Sequence, residues 1–101
     1  MVLQHAPQVV FLAKKVYLNQ EAVVLAVCST REYATKVCIR NFKACRLHKR
    51  PEDQQKPGTD VALVVTPEAA VEALRALNAN LRDYYEVEEA QVMVEPEPTV
   101  L

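Results

Sequence analysis

The stretch STREYATKVCIRNFKACRLHKR, Ser29–Arg50, reads as one amphipathic helix with a face built almost wholly of Lys and Arg. Ser29 followed three residues later by Glu32 forms a capping box, in which hydroxyl and carboxylate each serve the other residue's amide. At 100° per residue, Ala34, Cys38, Phe42 and Cys45 fall on one side, flanked by Val37, Asn41 and Ala44. Lys36, Arg40, Lys43, Arg46 and Arg50 fall on the other, with Tyr33 and Ile39 at the margins. A strand is excluded because Val37, Cys38 and Ile39 are consecutive and apolar, without alternation. Pro51 restricts Arg50 and stops the helix.

Outward from this helix, the preceding residues read as strands. Val9–Leu18 alternates, with Val10, Leu12, Val16 and Leu18 on one face, Lys14 intruding among them, and Phe11, Ala13 and Tyr17 on the other. Met1–Gln8 is a polar lead. Ala22–Cys28, AVVLAVC, is a continuous apolar run and reads as a strand buried on both faces. The two runs are placed to pair as an antiparallel hairpin.

After the helix, residues 51–58 form a polar loop that ends in Pro57 and Gly58. Gly58 is the only glycine, which excludes a glycine-rich phosphate loop. Asp60–Val65, DVALVV, reads as a third strand. Thr66-Pro67-Glu68 opens a second helix, with a capping Thr, a Pro at the first helical position and an acidic first turn. Ala70, Val71, Leu74, Leu77 and Leu81 form its apolar stripe. Tyr84–Val94 supplies the last strand, with Ala90, Val92 and Val94 alternating with Gln91 and Met93. The tail from Glu95 has Pro96 and Pro98 and cannot join a ladder. The expected fold is α+β: a single domain over 1–94, order β-β-α-β-α-β, with two helices on one face of a mainly antiparallel four-stranded sheet and an acidic tail at 95–101.

One hundred and one residues, half of them apolar, suffice for one domain with its own core. No apolar run reaches membrane-span length. Three cysteines without an evident pairing, and no leader pattern, point to a reducing cytoplasm. The net charge of −1 conceals a division. Residues 1–50 carry nine Lys/Arg against Glu21 and Glu32, and residues 51–101 carry three Lys/Arg against eleven Asp/Glu.

Cys28, Cys38, Cys45 and His48 contain ligand types for zinc, but a regular helix does not present the close ligand pairs of a structural site. Core packing is the expected role of the cysteines, with Cys38 and Cys45 as buried thiols. Cys45 and His48 lie one turn apart, yet no third group orients the histidine. No catalytic residue, metal or cofactor is therefore expected. Two binding surfaces are. The first is the basic face of Lys36, Arg40, Lys43, Arg46 and Arg50, and the second is the acidic set Glu86, Glu88, Glu89, Glu95 and Glu97. The leading expectation is a module that binds another protein. The rival is a nucleic-acid binder that sets the basic face on phosphates, with Tyr33 to stack on a base. A homodimer, or a partner strand, is expected at the sheet edges Val9–Leu18 or Ala90–Val94.

The layout also resembles a loose group of small phage-encoded proteins. The likeness is carried by Val24–Glu32, a hairpin strand leading into a Ser/Thr-capped helix with acidic and aromatic residues at its start, and by Tyr85–Val94. Such proteins bind and inhibit host machines, RNA polymerase and CRISPR effectors among them. The resemblance implies an inhibitor or modulator acting in a host cytoplasm, and it carries no functional residue across.

Overall fold

The computed structural model describes residues 6–45 and 57–94. Among them the order is β1 (Ala6–Val16), β2 (Val23–Cys28), α1 (Arg31–Ala44), a 3-10 turn (Val61–Leu63), α2 (Pro67–Asn78) and β3 (Tyr84–Val94). The sheet has three antiparallel strands in the order β2-β1-β3. The α+β class, the β1–β2 hairpin and the two helices on one sheet face follow the expectation.

β1 is longer and earlier than the pattern suggested, and it includes Pro7. That proline opposes Met93 of β3, at a level where β2, which pairs only from Phe11 to Lys15, is absent. A missing N–H is harmless at such an open side. β1 is therefore the central strand, not an edge, and the edges are β2 and β3.

β2 is also not buried on both faces. Val23, Val24 and Val27 are 47%, 49% and 64% exposed. The helices cover one side of the sheet, and no described element lies on the other. A bulge shifts the register so that Ala13 faces Ala26 while Lys14 faces Val24, leaving Leu25 as the extra residue, packed against the core.

The expected third strand, Asp60–Val65, is a 3-10 turn. The Asp60 carboxylate accepts from the Ala62 amide at 3.0 Å and bends the chain there. Val64 alone is fully buried, while Leu63 and Val65 are 67% and 72% exposed. Burial of one side chain per turn is what a local coil provides. A doubly buried strand would have hidden all three.

Helix starts are set by threonines. Thr30, not Ser29, is the cap of α1, its hydroxyl accepting from the Tyr33 amide at 3.1 Å. Thr66 caps α2 through the Ala69 amide at 3.0 Å. α1 also ends earlier than Pro51: Cys45 is already extended, its amide returning to the Phe42 carbonyl at 3.2 Å. The core lies between the sheet's inner face (Ala13, Cys28, Tyr85, Val87) and the helices (Ala34, Cys38, Ile39, Phe42, Ala70, Leu77). Ile39 is central there, not marginal, and Thr35 is buried beside it, its hydroxyl donating to the Arg31 carbonyl at 2.9 Å. Val71, expected in the α2 stripe, is 42% exposed.

Two polar fixtures join the layers. The Asn78 amide, at the end of α2, meets both backbone groups of Tyr85, accepting from its N–H at 2.8 Å and donating to its C=O at 2.7 Å. The Tyr85 hydroxyl reaches across to α1 and donates to Asn41 Oδ1 at 2.7 Å. One tyrosine thus ties β3 to both helices.

Candidate functional site

Burial of Ala34, Cys38, Ile39 and Phe42 fixes the rotation of α1. Tyr33, Lys36, Arg40 and Lys43 then follow at spacings of three, four and three, which places them along one outward stripe. Tyr33 is 54% exposed, Arg40 and Lys43 are exposed, and Lys36 is half-buried. Among the described residues none of the three cations has an acidic partner: the described ion pairs are Lys14–Glu88 and Glu72–Arg75. Arg46 and Arg50, the remaining residues of the expected basic face, lie outside the described residues.

At the start of α1 the Arg31 guanidinium lies over the Phe11 ring, 5.2 Å from its centroid. This contact bridges helix and central strand beside a shallow depression of ≈ 330 Å³ that also touches Thr30, Pro67 and Glu89. A cation held on a ring face contributes about 0.5–1 kcal/mol at an exposed position.

The acidic set divides. Glu86 and Glu88 lie on the uncovered side of the sheet, at the level of Lys14 and Leu12, whereas Glu89 opposes Phe11 on the helix side. Glu95 and Glu97 lie outside the described residues. Lys14, the intruder in the alternation of β1, donates to Glu88, and this hydrogen bond, with the charges of Glu88 and Glu86, raises the pKa of its ammonium. Lys14 therefore sits among apolar neighbours of its own strand and of β2 because β3 supplies its counter-charge. The intrusion was visible in the alternation, but its partner, 74 residues away, was not. Lys15 is held on the other face, its ammonium 5.4 Å from the ring centroids of both Tyr17 and Tyr85.

The basic and acidic halves of the chain therefore meet at one described ion pair between β1 and β3. The stripe of α1 and the Glu86–Glu88 region lie on opposite sides of the sheet.

The thiols are unequal. Cys38 is fully buried, and burial raises its pKa to about 12. Cys28 is buried and also raised, for the same reason. Cys45, expected inside, is half-buried at the helix end, because α1 stops there. A protonated, enclosed thiol is neither nucleophile nor ready metal ligand. Among the described residues no three His, Cys, Asp or Glu side chains gather where they could hold a metal ion. His5 and His48 lie outside those residues. No described helix is long and apolar enough to cross a membrane.

Comparison with known proteins adds no relative: no family model, curated protein or solved structure matches the chain.

Proposed function

We propose that the protein is a non-enzymatic module that binds an acidic patch of another protein through the Tyr33–Lys36–Arg40–Lys43 stripe of α1. The observation that carries this reading is a rigidly mounted row of cations with no acidic partner among the described residues. Its opposite face is packed into the core, so the helix backbone that carries the cations needs little ordering on association, and the cost that remains is the rotamer freedom of the exposed side chains. Like charges along a helix also disfavour partners without a complementary field. Inhibition of that partner within a host cytoplasm, as the likeness to small phage-encoded proteins implies, is the finer form of the proposal.

A nucleic-acid reading is favoured by one specific feature, the exposed Tyr33 in line with the cations. Magnitude argues against it. The three cations of the stripe among the described residues neutralise about three phosphates, a salt slope of about −2.7, short of the 6–10 contacts of a firm electrostatic binder. The protein reading needs only a few complementary charges around an apolar contact.

The test is affinity capture from an extract of the source cell, with and without nuclease, using wild type and an Arg40→Glu, Lys43→Glu variant. Capture of a discrete protein that survives nuclease and is lost in the variant is the expected outcome, with crosslinks mapping to α1. Nuclease-sensitive recovery and a gel shift abolished by the same variant would move the assignment to nucleic acid. Capture unchanged by charge reversal would refute both readings.

A further inference from the structure

The two edges of the sheet differ in kind. β3 carries Glu86, Glu88 and Glu89, and its outward backbone groups at Tyr85 are already taken by Asn78. A second β3 laid beside it would set glutamates against glutamates and meet an occupied backbone. β2 is the reverse. Its six residues, VVLAVC, contain no charge and no proline. Among the described residues its only hydrogen-bonding neighbour is β1, so its outward row of N–H and C=O groups is open. Charges and prolines are two of the means by which an edge strand is kept from pairing, and β2 has neither; its one irregularity is the bulge at Leu25.

We propose that the chain forms a two-fold dimer in which β2 pairs antiparallel with β2 of a second copy, doubling the three-stranded sheet. The bulge selects the register. Val24 faces Lys14 and Val27 faces Leu12, so both lie on the uncovered side of the sheet although they are three residues apart. In a regular strand, residues three apart point to opposite faces. Directly opposed residues of an antiparallel pair must share a face. A dyad between Leu25 and Ala26 satisfies this. It sets Val24 of each copy against Val27 of the other on the uncovered side, and Val23 against Cys28 on the helix side. The exposed valines, 47–64% accessible in one copy, gain apolar cross-strand partners. At the ends, Glu21, exposed just before β2, comes beside the Thr30–Arg31 corner of the second copy, where Glu32 and Glu89 also lie, so the apolar pairs and not the end charges carry the association. A second copy is the occupant that supplies the reciprocal valine pairs, because only a two-fold partner carries the same displaced register.

The experiment is sedimentation velocity on three chains: wild type, Val24→Lys with Val27→Lys, and Val24→Glu with Val27→Glu. Both positions face outward, and circular dichroism checks that each variant keeps its helices and sheet. Wild type sediments as a species of twice 11.4 kDa. Each variant alone is a monomer, because four like charges surround the dyad. An equimolar mixture of the two variants restores the dimer through Lys–Glu pairs. Hydrogen exchange on wild type needs no variant: β2 amides gain protection as concentration rises, and β3 amides do not. A wild type monomeric to millimolar concentration, or a dimer that persists in the all-lysine variant, overturns the proposal. So does failure of the mixed variants to associate. The stripe variant Arg40→Glu, Lys43→Glu leaves this dimer intact, which separates this test from that of the binding reading.

Discussion

A methyl group at Gly58 is the smallest change that should damage this fold. Gly58 has φ +88°, and α2 passes directly over it. A Cβ built there falls 2.5 Å from the Leu77 backbone nitrogen and 3.0 Å from Leu77 Cα, with the Ala73 carbonyl oxygen closer still. These are backbone atoms within a helix and cannot rotate aside. A left-handed conformation costs an L-residue about 1–2 kcal/mol. Displacing a packed helix adds about 1–3 kcal/mol. Gly58→Ala therefore costs about 2–5 kcal/mol, against about 5–15 kcal/mol for a whole domain. With a urea m-value of about 1 kcal/mol/M, the unfolding midpoint falls by about 2 M or more. Gly58→Asn separates the two causes. Asn tolerates the left-handed region but carries the same Cβ, so it should lose nearly as much as Ala if the close approach dominates. An unchanged midpoint for Gly58→Ala would refute the packing of residues 57–60 beneath α2.

Asn78→Ala strips both partners from the Tyr85 backbone and should lower stability by about 1–3 kcal/mol in the same assay. Asn78→Asp should do no better, because its carboxylate would face the Tyr85 carbonyl. Cys38 predicts an alkaline weakness. Its thiol titrates near 9.0 when unfolded and at about 12 when folded, so the unfolded chain loses the proton first. Stability present below pH 9 then falls by about 1.4 kcal/mol per pH unit as pH rises above it, a slope that Cys38→Ala should reduce in denaturant melts between pH 8 and 11. Under native conditions a maleimide should label Cys45 well before Cys28 or Cys38, by peptide mass mapping. Arg40→Glu with Lys43→Glu should shift the melting midpoint little, within about 0.5 kcal/mol, because neither side chain has a described partner to lose.

Local chemistry determined much of the chain. The Thr66-Pro67-Glu68 start, the 3.6-residue spacing that turns Cys38 inward and Arg40 outward, and the hairpin of β1 with β2 follow from neighbours within a few residues. So does the α+β class. Even the shift of the first cap from Ser29 to Thr30 is a contest between adjacent hydroxyls. The tertiary structure decided what depends on distant groups. DVALVV has the composition of a strand, but a strand needs a ladder partner, and Asp60 captured the Ala62 amide instead. AVVLAVC has the composition of a doubly buried strand, yet the chain returned β3 to the far side of β1 and left β2 at the edge. Lys14 looked out of place until Glu88 came across from β3. The opposed charges of the two halves could have met throughout the fold. The sheet lies between the cations of α1 and Glu86 and Glu88 because both helices pack on one side of it, while Lys14 alone of the described basic residues pairs with a glutamate of β3. Periodicity is a property of short segments and is legible there, whereas partner choice is set by which surfaces the whole chain can bury together.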